Sequence, residues 1–252
     1  MTPLRAPIRL EAERPSMNAR RPAAARVLRE TQGLAGAYQQ LKAPGEPLNL
    51  YMRCAMHERE ERLVRYFVSE GMHSLEGLKI LEVGCGAAAL LRRLFDLGAE
   101  PAKCVGLDVR GQRLQTAKSL SPAALNLVEG AGERLPFRDG EFDVALQFTV
   151  FTSILDRGVK HTIAGEMLRT LRRGGRLIWY DFAYSNPRNP NVRGIGRREV
   201  RELLPGCKLR FERVTLAPPI GRAAVAVSPL LYHLLSLMPI LRTHYLCFAE
   251  KL

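Results

Sequence analysis

Several features of specialised protein classes are missing from this sequence. It has five cysteines, an odd number without a Cys-x-x-Cys pair, which argues against a disulfide framework or a zinc site. No apolar run reaches the roughly 18 residues of a membrane-spanning helix. The arginine-rich N-terminus lacks the apolar core of a secretory signal. These absences predict a globular protein of the reducing cytoplasm without a bound metal.

Acidic residues are scarce relative to basic ones. The chain has 25 Asp and Glu against 38 Lys and Arg, a net charge of +13. Such an excess favours an anionic partner, namely nucleic acid, phosphate or an acidic membrane, although an arginine-rich proteome would produce the same count. Residues 1–45 and 186–213 each carry eight basic and three acidic residues, a net +5 apiece.

The distribution of proline and charge divides the chain in two. Prolines at positions 3, 7, 15 and 22 interrupt any early helix. We therefore expect a basic, partly disordered arm over residues 1–48, in which one helix could run through residues 23–39. Residues 49–252 form the predicted domain.

Within the domain, apolar runs typical of strands alternate with segments typical of helices. A helix is predicted over 49–70, with Leu63, Val64, Phe67 and Val68 on one face. Further helices are expected at 87–97, 112–119, 158–171 and 197–204, and strands at 78–83, 102–109, 126–128, 142–147, 175–182, 207–216 and 244–251. This order predicts an α/β fold with a mostly parallel sheet, helices on both faces and an antiparallel pair of strands at the end.

The sharpest motif is Glu82-Val83-Gly84-Cys85-Gly86, at the end of a predicted strand. Two glycines there allow a tight turn and a close approach of a ligand to the backbone. Asp108 ends the next strand, where a carboxylate can accept both hydroxyl hydrogens of a ribose or can cap the following helix. Gly84, Gly86 and Ala89 also fit the dinucleotide fingerprint, but Glu82 suits a ligand with a cationic group better than a pyrophosphate.

These motifs resemble those of the class I S-adenosylmethionine-dependent methyltransferases. Besides the glycine loop and Asp108, the segment 133–144 is similar to the family's "LPF…FD-x-V" signature, and residues 171–177 resemble the turn before its fifth strand. The resemblance covers residues 78–176 and lies nearest to a small-molecule group that contains quinone-biosynthesis methyltransferases. It implies a single Rossmann-like doubly wound, mostly parallel seven-stranded sheet with an antiparallel last strand, and S-adenosyl-L-methionine as cofactor.

The resemblance also implies where the cofactor binds. The methionine portion should contact the loop after the first strand, the ribose should contact Asp108, and Val109 should flank the adenine. The carboxylate that the family often places before its LPF element is missing, so adenine contacts fall to Ala131 and Gly132. The expected cofactor residues are therefore Glu82, Gly84, Cys85, Gly86, Asp108, Val109, Ala131, Gly132, Gln147 and Thr149.

The acceptor should lie at the carboxyl ends of the fourth and fifth strands. Tyr180 is a candidate pocket wall or orienting hydroxyl, and Asp181 is either a general base or a loop cap. Arg188 and Arg193 could hold a phosphate or carboxylate of the substrate, or could belong to a solvated surface. Tyr51 and Phe151 complete the predicted substrate site. The apolar stretch 225–241 is interrupted by Pro229 and Pro239, and its part 230–241 is either a core helix, a cap over an apolar channel, or a contact with a membrane.

Competing functions remain open at this level. A small-molecule methyltransferase acting on a lipid, isoprenoid or glycoconjugate intermediate fits the motifs best. An RNA methyltransferase would use the positive charge, but no Asn/Asp-Pro-Pro element or RNA-binding module is visible. A nicotinamide-dependent oxidoreductase would need a Tyr-x-x-x-Lys or similar site, and a cofactor-binding pseudoenzyme would need none.

Overall fold

The computed structural model describes residues 49–186 and 189–252. The predicted arm, residues 1–48, and Arg188 lie outside the described residues. Seven strands form one sheet: β1 (Ile80–Val83), β2 (Cys104–Asp108), β3 (Asn126–Glu129), β4 (Phe142–Phe148), β5 (Leu171–Phe182), β6 (Cys207–Leu216) and β7 (Arg242–Lys251). The helices are α1 (Leu50–Ser69), α2 (Ala89–Phe95), α3 (Gly111–Leu120), α4 (Arg157–Thr170), α5 (Arg197–Leu203), α6 (Pro218–Val227) and α7 (Pro229–Ser236).

The strand order is β3-β2-β1-β4-β5-β7-β6. The first five strands are parallel, and β7 runs antiparallel between β5 and β6. This confirms the predicted doubly wound sheet and its antiparallel last strand. Strand β1 lies between β2 and β4, so the chain builds one side of the sheet outward to β3 and then returns to begin the other side at β4.

Alternating side chains of the central strands pack on opposite faces of the sheet. Leu81 and Ala145 face a core that includes residues of α4 and α5, whereas Ile80 and Leu146 face residues of α1, α2 and α3. Strands β1 and β4 are buried on both sides, which explains why they are almost continuously apolar. Helices therefore cover both faces, as predicted.

The structure changes the predicted buried face of α1 and defines the helices of the apolar stretch. On α1, Tyr66 joins Leu63 and Phe67 on the buried face, whereas Val68 is 49% exposed. The apolar segment 225–241 is not one helix, because Pro229 cannot donate a backbone hydrogen bond and Ser228 is extended, with φ −165°. Ser228 instead caps α7, accepting a hydrogen bond from the Leu230 N–H.

None of the described helices has the length and apolar composition that crossing a membrane requires. In the same part of the chain, no group of three or more His, Cys, Asp or Glu side chains is arranged to hold a metal ion.

A buried ion pair links α4 to α5. The Lys160 side chain is 1% exposed, and its ammonium donates to Glu199 at 3.1 Å. Burial lowers the pKa of Lys160, and the neighbouring Glu199 carboxylate opposes that shift. Glu199 also accepts from Arg193, so one carboxylate fixes two cations.

We expect Glu199→Gln to lower the free energy of unfolding by about 3 kcal/mol, because it removes the carboxylate that compensates a buried ammonium. Urea unfolding would be followed by the fluorescence of Trp179, the only tryptophan, which is fully buried. Adding Lys160→Met should restore most of the loss, since methionine buries an apolar chain of similar length. An unchanged unfolding midpoint in the single variant would contradict this account.

Candidate active site

A cavity of about 420 Å³ opens at the carboxyl ends of β1 and β4. It is bounded by the loop after β1, the end of β2, the segment after β3, the end of β4 and one face of α1. The position follows from topology, because the chain leaves β1 and β4 toward opposite faces of the sheet and opens a crevice between them. The volume suits a small-molecule ligand.

The loop after β1 has room for no side chain at its first glycine. Gly84 has φ +76°, and a Cβ there would lie 2.3 Å from a methyl carbon of Val150. The N–H groups of Gly84 and Cys85 both donate to the Leu107 carbonyl, at 2.7 and 3.0 Å. The loop thus folds onto β2 and brings bare backbone to the cavity wall.

The Asp108 carboxylate joins this loop to the turn after β2. Its Oδ2 accepts from the Gly86 N–H at 2.8 Å and its Oδ1 accepts from the Arg110 N–H at 2.9 Å. Arg110, rather than Asp108, is the N-cap residue of α3, so the alternative helix-cap role is not observed. Each carboxylate oxygen can accept a further hydrogen bond, and the residue lines the cavity.

Glu82 provides the second carboxylate of the cavity. It is 3% exposed, and its Oε2 has no hydrogen-bond partner among the described residues. Burial, followed by the nearby charge of Asp108, raises the pKa of Glu82 to about 8. A buried oxygen without a donor is costly, so a cationic hydrogen-bond donor in the cavity would satisfy it.

Most of the other predicted cofactor residues also line the cavity: Cys85, Gly86, Val109, Gly132 and Thr149. Thr149 has φ +59°, an unfavourable conformation that is maintained at the end of β4 beside the cavity. Burial raises the pKa of the Cys85 thiol far above its usual value. Cys85 is therefore a wall of the cavity rather than a nucleophile.

Two predicted cofactor residues lie outside the cavity lining. Gln147 is fully buried beneath the loop after β4, where its Oε1 accepts from the Val150 N–H at 3.2 Å. Ala131 is absent from the lining, whereas Gly130 and Gly132 on either side of it contribute. The sequence alone does not show which side chains of these two segments face the cavity.

The predicted catalytic pair does not line the cavity either. Asp181 is 1% exposed, and its carboxylate accepts from the Phe151 N–H at 3.1 Å and from the Thr152 hydroxyl at 2.5 Å. Burial raises the pKa of Asp181 to about 6, opposed by the hydrogen bonds from Thr152. This geometry is that of a loop cap, one of the two roles that the sequence left open for Asp181.

Tyr180 lies one layer behind the cavity. Its hydroxyl shares a hydrogen bond of 2.9 Å with the Thr215 hydroxyl, and its ring stacks on His244 with centroids 4.8 Å apart. The other face meets the Arg59 guanidinium, whose Cζ is 4.7 Å from the ring centroid. Tyr180 therefore supports Arg59, which does line the cavity.

The predicted substrate residues are corrected in the same way. The Tyr51 hydroxyl donates to the Leu216 carbonyl within a separate apolar cluster, and Phe151 is fully buried against Trp179. Arg193 pairs with Glu199 at 3.0 Å, away from the cavity lining. All three were assigned from sequence position, and tertiary packing turns their side chains elsewhere.

Sequence reasoning missed the face of α1 that closes the cavity. Met56, Arg59, Glu60 and Leu63 line it, whereas Arg62 points away to Glu212 at 3.5 Å. The lining residues are spaced i, i+3, i+4 and i+7, which places them on one helical face. That spacing is visible in the sequence, but nothing in it tells which face meets the cavity.

Comparisons with known proteins agree with this geometry. Residues 81–179 match the Methyltransferase domain family, Methyltransf_11. Over 146 residues the chain is 32% identical to the phthiotriol/phenolphthiotriol dimycocerosates methyltransferase 1 of Mycobacterium ulcerans, covering 56% of this chain and 51% of that one. It is 23% identical over 167 residues to the ubiquinone/menaquinone biosynthesis C-methyltransferase UbiE of Shewanella piezotolerans, covering 64% and 63%. The matches thus span about half to two thirds of these relatives.

Solved structures share the fold at low identity. The PH0226 protein of Pyrococcus horikoshii superposes with a TM-score of 0.61 at 16% identity, covering 86% of this chain and 99% of that one. The [4+2]-cyclase SpnF superposes with a TM-score of 0.54 at 18% identity, covering 76% and 81%. Since SpnF is described as a cyclase, the fold by itself does not determine the reaction.

Residues 81–179 thus match a methyltransferase domain, and this part of the chain resembles the class I S-adenosylmethionine-dependent methyltransferases. Its residues fit the cofactor of that class, because the unpartnered Glu82 Oε2 offers an acceptor for an amino group and Gly84 presents bare backbone to the cavity. Asp108 lines the same cavity.

We expect Asp181→Asn to cost about 1–3 kcal/mol of stability, because an amide nitrogen replaces one acceptor facing buried donors. The pH profile of methyl transfer should stay unchanged, since the carboxylate holds a loop and does not face the cavity. Two measurements would test this: urea unfolding, and initial rates from about pH 5 to about pH 9. Loss of a kinetic pKa near 6 in the variant would restore Asp181 as a base.

Proposed function

We propose that this protein transfers the methyl group of S-adenosylmethionine to a small-molecule acceptor that is apolar, anionic or both. The supporting observation is the buried Glu82 carboxylate, which lines the cavity with one oxygen unpartnered beside a glycine loop and Asp108. A site for an uncharged nucleoside alone would not require this second buried acid.

The described residues can bind and orient both reactants. When bound, S-adenosylmethionine supplies an activated methyl group on a sulfonium. Glu82 would accept from the amino group and Asp108 from the ribose hydroxyls. Val150, Ile154 and Leu63 line the cavity with apolar surface that excludes water. Alignment of the two reactants is the main requirement of an in-line displacement.

The acceptor side is assigned to the end of β4 and the inner face of α1. Arg59 lies there, with its Cζ 5.9 Å from the Phe148 ring centroid and 4.7 Å from that of Tyr180. Among the described residues, this cation replaces Arg193 as the candidate for an anionic group, and Phe148 offers apolar contact. One curated relative is named a phthiotriol/phenolphthiotriol dimycocerosates methyltransferase and the other a C-methyltransferase of ubiquinone/menaquinone biosynthesis, in keeping with an apolar acceptor.

The cofactor assignment predicts a proton release. At pH 7, below its pKa of about 8, Glu82 is mostly protonated in the free protein. A cationic amino group favours the carboxylate, so binding of S-adenosylhomocysteine should release close to one proton, measured by calorimetry in buffers of different ionisation enthalpy. Glu82→Gln should abolish the release. Asp108→Asn should weaken binding about 10- to 100-fold, and it should lower the release only in part, because the Asp108 charge is the smaller of the two causes that raise the pKa of Glu82.

Two outcomes would refute this assignment. Absence of binding in the parent protein would exclude the cofactor site altogether. Binding without proton release, unchanged by Glu82→Gln, would place the amino group elsewhere. Circular dichroism of each variant would establish that the fold is retained.

The acceptor assignment is tested with labelled methyl donor and cell extract. We expect label in the lipid-soluble fraction, and Arg59→Met should reduce incorporation about tenfold at limiting acceptor while cofactor affinity is retained, because a charge-assisted contact is lost. Arg62→Met is the matched control, one turn away on the same helix and outside the cavity. Label in RNA, or equal effects of both variants, would contradict the proposal.

A further inference from the structure

Exposed apolar side chains concentrate on one part of the surface. Of the thirteen large apolar side chains that are exposed in the described residues, six lie between positions 227 and 240. They are Val227 (78% exposed), Leu230 (65%), Leu234 (54%), Leu237 (71%), Met238 (50%) and Ile240 (77%). We call α6, α7 and the turn that follows, residues 218–241, the helical hairpin.

Helix α7 is apolar on two opposite faces. Its inner face places Tyr232, Leu231 and Leu235 against the apolar cluster that includes Tyr51 and Leu216. Its outer face continues Leu230 and Leu234 into Leu237 and Met238, at i, i+4, i+7 and i+8. A helix that is apolar all round is normally buried on every side, so the outer face requires an apolar environment that the described residues do not provide.

The charge around the hairpin has one sign. No Asp or Glu occurs from residue 213 to residue 249, whereas the same stretch holds three arginines and two histidines. Arg222 and His233 are exposed on the hairpin itself. Arg213 donates to the Pro239 carbonyl at 3.4 Å, which places its guanidinium at the edge of the apolar face beside Ile240.

The acidic residues nearest in the fold are already neutralised or covered. Glu58 is 5% exposed and accepts from the Tyr232 hydroxyl at 3.0 Å and from the Thr215 N–H at 3.1 Å. Glu212 pairs with Arg62 at 3.5 Å and with Arg210 at 3.4 Å. The exposed surface of the hairpin therefore combines an apolar face with positive charge.

From this combination we infer that the helical hairpin docks the protein on the surface of an anionic lipid bilayer. An apolar face flanked by cations is the pattern of helices that lie in the membrane interface. The hairpin cannot cross the bilayer, because the eight residues of α7 extend only about 12 Å of the roughly 30 Å required. Val227, Leu230, Leu234 and Ile240 would enter the acyl boundary while Arg213 and Arg222 meet the head groups.

Docking at this surface would also place the cavity near the membrane. Helix α1 contacts the hairpin through Tyr51 and lines the cavity through Met56 and Arg59, one to two turns along the same helix. If the acceptor is apolar, as the proposed function holds, the membrane would be its source. Vesicle binding is independent of that function, so it can be tested without any acceptor.

The test is co-flotation of the full-length protein with vesicles of neutral phospholipid and with vesicles that also contain anionic phospholipid. We expect binding to the anionic vesicles. High salt should reduce this binding, because the screening length of electrostatic attraction falls from about 10 Å at 0.1 M salt to about 3 Å at 1 M. Leu234→Glu combined with Ile240→Glu should reduce partition about tenfold or more. Arg222→Gln should weaken binding to anionic vesicles only.

The matched control is Leu120→Glu, another exposed leucine (57%) at the end of α3, on the β3 side of the sheet and far from β6. It should bind vesicles as the parent protein does. Failure of the parent to bind anionic vesicles, or equal losses in the control, would overturn the inference. A parent dimer that the paired substitution converts to a monomer, without any vesicle binding, would instead assign this face to a second copy of the chain. Cofactor binding by calorimetry, measured on the same samples, separates this result from the proposed function.

Discussion

The candidate site depends on how one carboxylate ties two turns together. Asp108 accepts a hydrogen bond from the Gly86 N–H in the turn after β1 and another from the Arg110 N–H in the turn after β2. This link holds the glycine loop against β2, at the point where the strand order reverses. The crevice at the centre of the sheet thereby becomes a cavity with a polar floor, and the same carboxylate keeps acceptor capacity for a ligand.

Glu82 adds a second acid at that floor, and its burial is unfavourable in the free protein. Burial disfavours the charged form of Glu82, and the nearby Asp108 carboxylate repels its negative charge. The protein tolerates this because β1 is central and firmly packed, with every residue from Ile80 to Val83 buried. A ligand that brings a cation to Glu82 satisfies this buried carboxylate, so the removal of the unfavourable state contributes to the free energy of binding.

Helix α1 connects the cavity to the surface that we assign to the membrane. Glu58 points toward the hairpin and accepts hydrogen bonds from the Tyr232 hydroxyl and from the Thr215 N–H of β6. Arg59, the next residue, turns toward the cavity and lies over the Tyr180 ring. Neighbouring positions of one helix thus serve different surfaces, and a shift of α1 would move both together.

The sequence by itself determined the fold class, the strand order along the chain and the two acids of the cofactor loop, because strand periodicity and glycine at a tight turn are local properties. Only the tertiary structure decided which way the acceptor-side residues point. The side chain of Asp181 caps a loop, and those of Phe151 and Tyr51 pack in apolar clusters. Arg59, by contrast, reaches the cavity from a helix that carries none of the sequence motifs. Only the tertiary structure likewise decided which apolar side chains of residues 225–241 are buried and which are exposed, because their apolar composition fits either environment. The physical reason is that orientation depends on which element packs against a residue, and that partner is remote in the chain.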